Sequence, residues 1–486
     1  MVVRAIASGA RPYIKQNIPQ KGENMNNRCC IILAAGDGKR MNSANPKVLM
    51  PVLFEPMLGW VLDSVREAGI DDTNVGVITG SSADKVAEYL ADKGDYRTFL
   101  QAERKGTGHA VMQAENLLKE FGGDVLVLCG DAPFMDAGTI NAAYELHKEQ
   151  NSDVTVITAN VDPAGNYGRI KRDKNTNLLC SIVEMKDCTP DELKITEVNS
   201  GAYWFKSERL LWALPQLRDN NKSGEFYLTD TVELLGKNAS TYMANDSIIV
   251  LGANDRQQLR ALNDMMTELI NRRHYIAGVD IIGHNVIIGK DVKIGRDTLL
   301  MPNTIIRGQT KIGSGCVIGP NAQINNCEIG DDVTLNCVQA FDSVIHDNVK
   351  AGPYVHIRPG TTLHKNVKIG DFVEIKNSEI GESSSLAHLA YIGDGDVGKN
   401  VNIGCGVVTA NYDGIEKYRT IIGDNAFIGC NTNLIAPVEV GENAATAAGS
   451  TIAENVPPAA LAIERGEVRV KENWYKNTLR VNKDKK

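Results

Sequence analysis

The sequence predicts two unlike folds in series: an α/β domain with a Rossmann-like, mostly parallel sheet, then an all-β parallel β-helix of hexapeptide repeats. The first is predicted by an alternation. Apolar runs at 29–35 (CCIILAA), 75–79 (VGVIT), 125–130 (VLVLCG) and 154–158 (VTVIT) have the composition of buried strands, and helix-like stretches such as 58–69 (LGWVLDSVREAG) and 108–121 (GHAVMQAENLLKEF) separate them. The second is predicted by a six-residue period, which suits neither an α-helix nor a flat strand and marks a hexapeptide-repeat β-helix.

From the N-terminus, residues 1–24 carry Arg4, Arg11, Lys15 and Lys21 against Glu23 and lack the apolar core of a secretory signal. We expect a dispensable extension created by an upstream start codon before Met25, with organelle targeting as the alternative. The α/β domain is expected over 25–254. A polar-apolar helical pattern from about Asp255 to Tyr275 predicts a linker helix at 255–277, and the β-helix follows over 278–464, with a tail at 465–486.

Within the β-helix every sixth residue from Ile282 is aliphatic: Ile282, Ile288, Ile294, Leu300, Ile306, Ile312, Ile318, Ile324. The frame slips by one at Ile329, Ile380 and Val397, breaks at about 410–421, and resumes from Ile422 to Ile452. Three hexapeptides form one triangular coil, so roughly nine coils at ~4.8 Å each are expected. Gly repeatedly follows the aliphatic, which suggests a tight corner that needs a residue without Cβ.

Composition excludes other classes. At 486 residues the chain has room for about three domains. Its net charge of -8, from 52 basic and 60 acidic residues, argues against a nucleic-acid partner but not against a small anion. No apolar run approaches the ~18 residues of a membrane span. The ten cysteines show neither CxxC pairs nor zinc spacing, which fits reduced thiols in a cytoplasm.

Gly36 and Gly38 fall at the carboxyl end of the first strand, where open α/β sheets bind nucleotides and small residues let backbone amides approach a phosphate. Arg40 and Lys47 follow in the same loop and are placed to balance a triphosphate. Asp131, just past the strand 125–130, would point into that cleft; alone it suits a turn cap, and beside phosphates it suits Mg2+. In the β-helix, Arg358 and Lys376 occupy equivalent sites on adjacent coils. Two cations at ~5 Å repel by about 0.8 kcal/mol even in bulk water, so an anion such as phosphate is expected between them. His388 lies shortly beyond, and neutral imidazole can take a proton from an amine attacking a thioester.

The string LAAGDGKRMNSANPKVL (33–49) resembles the LxxGxGTRMxxxxPKxL signature of sugar-phosphate nucleotidyltransferases, with Lys39 in place of Thr. QAERKGTGHA (101–110), CGDAPF (129–134), YGRI (167–170), EVNSGAYWF (197–205) and GEFYLTD (224–230) follow in that family's order. Joined to a hexapeptide helix, the motifs over about 28–466 resemble the bifunctional N-acetylglucosamine-1-phosphate uridyltransferase/glucosamine-1-phosphate acetyltransferase family.

The resemblance implies a left-handed β-helix and two reactions. Acetyl-CoA and glucosamine 1-phosphate would give N-acetylglucosamine 1-phosphate and CoA. That product and UTP would then give pyrophosphate and UDP-N-acetylglucosamine, a precursor of bacterial wall polymers. It also implies site residues. Leu33, Ala34, Ala35, Gly36, Gln101, Gly106 and Thr107 would line the uridine pocket, with Arg40 and Lys47 at the phosphates. Gly168, Glu184, Asn199 and Thr229 would hold the amino sugar, while Asp131 and Asn254 would bind Mg2+. Cys129 stands where some relatives carry Tyr.

In the second domain His388 would be the general base, oriented by Glu374. Arg358, Lys376, Tyr391, Asn402 and Lys417 would bind the sugar phosphate. Asn411, Tyr412, Cys405, Cys430, Ala448 and Arg465 would meet acetyl-CoA, with Cys405 and Cys430 where relatives commonly carry Ala and Ser. A cytoplasmic homotrimer is implied. One alternative is a nucleotidyltransferase whose β-helix serves only oligomerisation or regulation, as in ADP-glucose pyrophosphorylases. Another is a non-enzymatic interaction subunit of the kind found in the eukaryotic translation-initiation exchange factor.

Overall fold

The computed structural model describes residues 27–36, 38–472 and 474, so the expected extension at 1–24 and most of the tail lie outside the described residues. The chain divides into two compact units, Met1–Pro51 with Glu55–Leu259, and Val52–Phe54 with Arg260–Lys486. The division falls inside the helix Arg256–Ile276, which covers the stretch expected to link the domains.

In the first unit the strands lie in the order Ala239–Met243, Val154–Asn160, Glu197–Lys206, Asp124–Cys129, Arg28–Ala34, Val75–Thr79, Arg97–Leu100. Glu197–Lys206 runs antiparallel to both neighbours, and the other pairs along this path are parallel. The sheet is buried on both faces, which is why its strands have continuous apolar runs. Cys30 and Ile32 enter one core with Leu58, Val61, Val65 and Trp204. Cys29 and Ile31 enter the other with Val111, Leu117, Leu118 and Phe205. Helices Met57–Glu67 and Ala137–Glu149 cover the first face. The stretch expected as one helix at 108–121 is two, Thr107–Met112 and Glu115–Phe121. Gln113 and Ala114 turn back on the carbonyls three residues earlier, which tightens and ends the first helix there.

The second unit is the expected β-helix. Its strands form three parallel sheets of 11, 10 and 9 strands among the described residues, so it is somewhat longer than nine coils. Where the six-residue period is unbroken, Ile287 pairs with Ile305 and Lys293 with Lys311. Where the frame slips the step shortens, as in Gln323 with Gln339, and across the break it lengthens, as in Asn402 with Phe427. The first coil is offset by one residue: Ile281, not Ile282, pairs with Leu300 and is buried, and Ile282 is 47% exposed.

The repeated Gly has the expected cause at corners such as Gly283 and Gly319, which are left-handed, and a different one elsewhere. Gly289, Gly295, Gly313 and Gly330 are absent from the left-handed positions, which Asn and Asp residues such as Asn303, Asn321 and Asn366 mostly occupy. Glycine is needed because the next coil lies against it: a Cβ on Gly313 would sit 2.5 Å from the Gly330 carbonyl oxygen. Gly313→Ala is therefore expected to destabilise the β-helix by about 1–3 kcal/mol through overpacking. A thermal unfolding midpoint equal to that of the parent would contradict this cause. Among the described residues no helix is long and apolar enough to cross a membrane.

Candidate functional sites

In the first unit the loop after Arg28–Ala34 turns at Gly38, whose φ is +61° and whose Cβ would lie 2.6 Å from that of Lys47. The absence of a side chain thus lets this loop close on Lys47. Gly36 differs, because a Cβ there would meet nothing within 4 Å. The Lys47 ammonium forms an ion pair with Asp131 and donates to Asn254 Oδ1 at 2.7 Å. The two residues expected to bind metal therefore present oxygens to one cationic point. Leu33 is tied to the strand above by its carbonyl, which accepts from Gly130 N at 2.9 Å, and Arg40 is exposed on the turn Lys39–Met41.

Gln101 donates from Nε2 to the Gly106 carbonyl at 3.0 Å, and Gly106 precedes the helix that begins at Thr107. Thr107 Oγ1 accepts from Leu228 N at 3.0 Å, which ties this helix to the segment bearing Thr229. Thr229 donates to Glu184 Oε1 at 3.2 Å, and Asn199 N donates to the Gly168 carbonyl at 2.9 Å. A Cβ on Gly168 would lie 3.6 Å from both Asn199 Cβ and Glu184 Oε1, so the four expected sugar residues are gathered together. Burial pushes the Glu184 carboxyl up, and the Thr229 hydrogen bond opposes that.

Tyr203, which the sequence did not single out, is buried and accepts from Asn199 Nδ2 at 2.6 Å. Its only sequence signal is its place within EVNSGAYWF. Burial, then the Asp131 charge, pushes the Cys129 thiol up to about 12, and it donates to the Gly201 carbonyl at 3.6 Å.

In the β-helix, Ile357 pairs with Ile375, so Arg358 and Lys376 are equivalent on adjacent coils, as their spacing requires. Part of the anion expected between them is supplied internally: Arg358 Nη1 donates to Glu374 Oε1 at 2.7 Å. The remaining positive charge includes Lys417, as the resemblance implied. The 411–419 loop doubles back with Tyr412 paired antiparallel to Lys417 and Tyr418 N donating to the Asn411 carbonyl at 2.9 Å. Lys417 thereby comes up to Lys376, and its ammonium, followed by partial desolvation and the charge of Arg358, holds the Lys376 ammonium below its usual range.

Asp394 anchors the floor of this site, accepting from Asn377 at 2.5 Å and from Asn411. Burial would raise its carboxyl, but those bonds and the charges of Lys376 and Lys417 bring it below the ordinary value. Tyr391 pairs with Glu374, and its hydroxyl lies against Gly393, where a Cβ would also be 2.9 Å from Asn411 Nδ2.

The structure places another carboxylate at His388 than the one expected. His388 is not held by Glu374, which is engaged by Arg358. Its Nδ1 lies 3.1 Å from Asp371 Oδ1. The register explains this, because Asp371 pairs directly with His388 in one sheet while Glu374 belongs to the next. The Asp371 carboxyl is held below its usual range, first by its own backbone N–H and then by His388.

Beyond His388, the pairing of Leu386 with Ile403, Ile403 with Ile428 and Ile428 with Thr446 carries the same corner position through Cys405, Cys430 and Ala448. Asn402 is exposed on the strand between Ser385 and Phe427. Tyr412 is exposed and donates to its own loop at the Gly414 carbonyl, 2.7 Å. Arg465 is exposed and follows Glu464, whose N donates to Ser450 Oγ at 3.2 Å near Ala448.

Comparisons with known proteins fit both units. A family model described as nucleotidyl transferase matches residues 29–274, and one described as bacterial transferase hexapeptide (six repeats) matches 291–326, 342–377 and 419–454. The chain is 46% identical to the "Bifunctional protein GlmU" of Thermoanaerobacter pseudethanolicus, over 93% of this chain and 98% of that protein. It is 47% identical to the protein of the same name from Acetivibrio thermocellus, over 93% and 99%. With that of Geobacillus sp. the identity is 45%, over 92% and 97%.

Proposed function

The chain belongs to the family of bifunctional GlmU proteins, and from that premise we propose how its two units divide the work. It is an enzyme of UDP-N-acetylglucosamine synthesis. Its β-helix transfers acetyl from acetyl-CoA to glucosamine 1-phosphate, and its α/β unit joins N-acetylglucosamine 1-phosphate to UTP with release of pyrophosphate. The observation that carries this reading is the gathering of Arg358 and Lys417 about Lys376 on the same β-helix that bears the His388–Asp371 pair. A β-helix used only for assembly has no reason to gather three cations at a mutual cost.

In the α/β unit the sugar 1-phosphate is already nucleophilic, so positioning and charge neutralisation do most of the catalysis. Leu33, Ala34, Ala35, Gly36, Gln101, Gly106 and Thr107 receive the uridine; Gly168, Glu184, Asn199 and Thr229 receive the amino sugar. The oxygens of Asp131 and Asn254, which already hold an ammonium, suit a hard divalent cation. Bound there, Mg2+ supplies positive charge to the phosphates. Lys47 would neutralise phosphate oxygens, with Arg40 in the same loop.

In the β-helix, Arg358, Lys376 and Lys417 take the phosphate, with Tyr391 and Asn402 at the sugar. His388 accepts the amine proton as the amine attacks the thioester, and no covalent acyl-enzyme is needed. Asn411, Tyr412, Cys405, Cys430, Ala448 and Arg465 face acetyl-CoA. We place the enzyme in the cytoplasm, where its ten free thiols stay reduced, and as a homotrimer whose neighbours share the acetyl-CoA site.

Asp371 is the positioning residue of this base. A carboxylate can only accept, so Asp371 holds the proton on Nδ1 and leaves Nε2 bare to act as the base, and Asp371→Asn loosens that tautomer. Acetyl transfer should fall on the order of tenfold or more in kcat, with the KM for glucosamine 1-phosphate little changed. Glu374→Gln should instead loosen Arg358 and raise the KM for glucosamine 1-phosphate. If Glu374→Gln lowers kcat and Asp371→Asn does not, the assignment of Asp371 is wrong.

A further inference from the structure

Of the ten cysteines, Cys180, Cys405 and Cys430 are exposed, and the latter two occupy the same corner of successive coils. They are far apart in sequence because the 411–419 loop intervenes. The stacking is direct: Asn431 N donates to the Cys405 carbonyl at 2.7 Å, and a Cβ on Gly404 would lie 2.6 Å from Cys430 N. Parallel strands in register stand ~4.8 Å apart, inside the Cα separation that a disulfide spans. The local sequence leaves both thiols bare, since Cys405 sits between Gly404 and Gly406, and Cys430 follows Gly429. The same corner carries His388 one coil before and Ala448 one coil after.

We propose that Cys405 and Cys430 form a thiol modification site, which a low-molecular-weight disulfide closes into a bond between adjacent coils, thereby switching off the acetyl-transfer corner beside it. One thiolate attacks a sulfur of the reagent RSSR, giving a mixed disulfide and releasing RS⁻. The second protein thiolate attacks the protein-side sulfur of that mixed disulfide, forming the Cys405–Cys430 bond and releasing a second RS⁻. The two thiol protons end on the two released thiolates, so the protein loses two hydrogens and RSSR is reduced to two RSH. Closure draws two successive walls of the proposed acetyl-CoA path together and displaces the surface over which the thioester must lie. This consequence rests on the acetyl-CoA reading, whereas formation of the bond rests on the coil register alone.

The full-length enzyme is treated with cystamine and followed by peptide mass mapping, CoA release and UTP turnover. The expected result is a cross-linked peptide pair joining Cys405 to Cys430, with a mass deficit of two hydrogens. CoA release should fall by about a hundredfold, the scale of an ångström-sized misplacement in a site. UTP turnover should persist, and dithiothreitol should restore CoA release. Cys180, exposed without such a partner position, should carry a cysteamine adduct and so report that the reagent reached the protein. Cys430→Ala, compared with its own untreated rate, should trap a cysteamine adduct on Cys405. Separate adducts on Cys405 and Cys430 in the parent, or both thiols left free while Cys180 is modified, overturn the thiol pair. A link that forms while CoA release is unchanged overturns the switch and, with it, the placing of acetyl-CoA at this corner.

Discussion

In His388→Ala, release of CoA from acetyl-CoA and glucosamine 1-phosphate should fall by about 10²–10⁴-fold, the range a positioned general base contributes. UTP turnover with N-acetylglucosamine 1-phosphate should stay at the parental rate. His388 is 60% exposed on the β-helix surface, so its truncation opens no core cavity and leaves the coil register intact. Selective loss therefore reports chemistry and not folding. Loss of both activities together would refute separate sites, and retention of acetyl transfer would leave the reaction without a base at this position.

The second large effect belongs to the other unit. Asp131→Ala should reduce uridyl transfer by roughly 10²–10³-fold, comparable to removing one preorganised electrostatic stabiliser, while acetyl transfer continues. The variant also strips Lys47 of its carboxylate partner, leaving, among the described residues, the Asn254 contact to hold the ammonium. The residual rate should respond far less to Mg2+ than the parental rate does. A Mg2+ titration superimposable on that of the parent would sink the ligand assignment, even if the rate itself fell.

Much of the first unit could be read directly from the sequence because its determinants are contiguous. The run CCIIL alternates between two cores residue by residue, and the segment that follows it brings Gly36, Gly38 and Lys47 into one loop. Tyr203 escaped because a buried tyrosine in an apolar strand looks like core until Asn199 is seen to donate to it. Gln113 shows a different limit: helical periodicity ran through 108–121, and the break depends on hydrogen bonds that the apolar pattern does not register.

What the sequence by itself determined is the pair of folds and the inventory of chemistry, because apolar periods and loop motifs act over neighbouring residues whatever lies beyond them. The six-residue rhythm sufficed to announce the coils, and the regular step from Arg358 to Lys376 sufficed to stack them. The tertiary structure alone decided the partners. In a β-helix each residue bonds to one about a coil away, and every slip or inserted loop accumulated between them changes which one that is. Hence His388 meets Asp371 and not Glu374, Lys417 folds back to Lys376, Gly313 is bare for the coil above it, and Cys405 comes to lie beside Cys430.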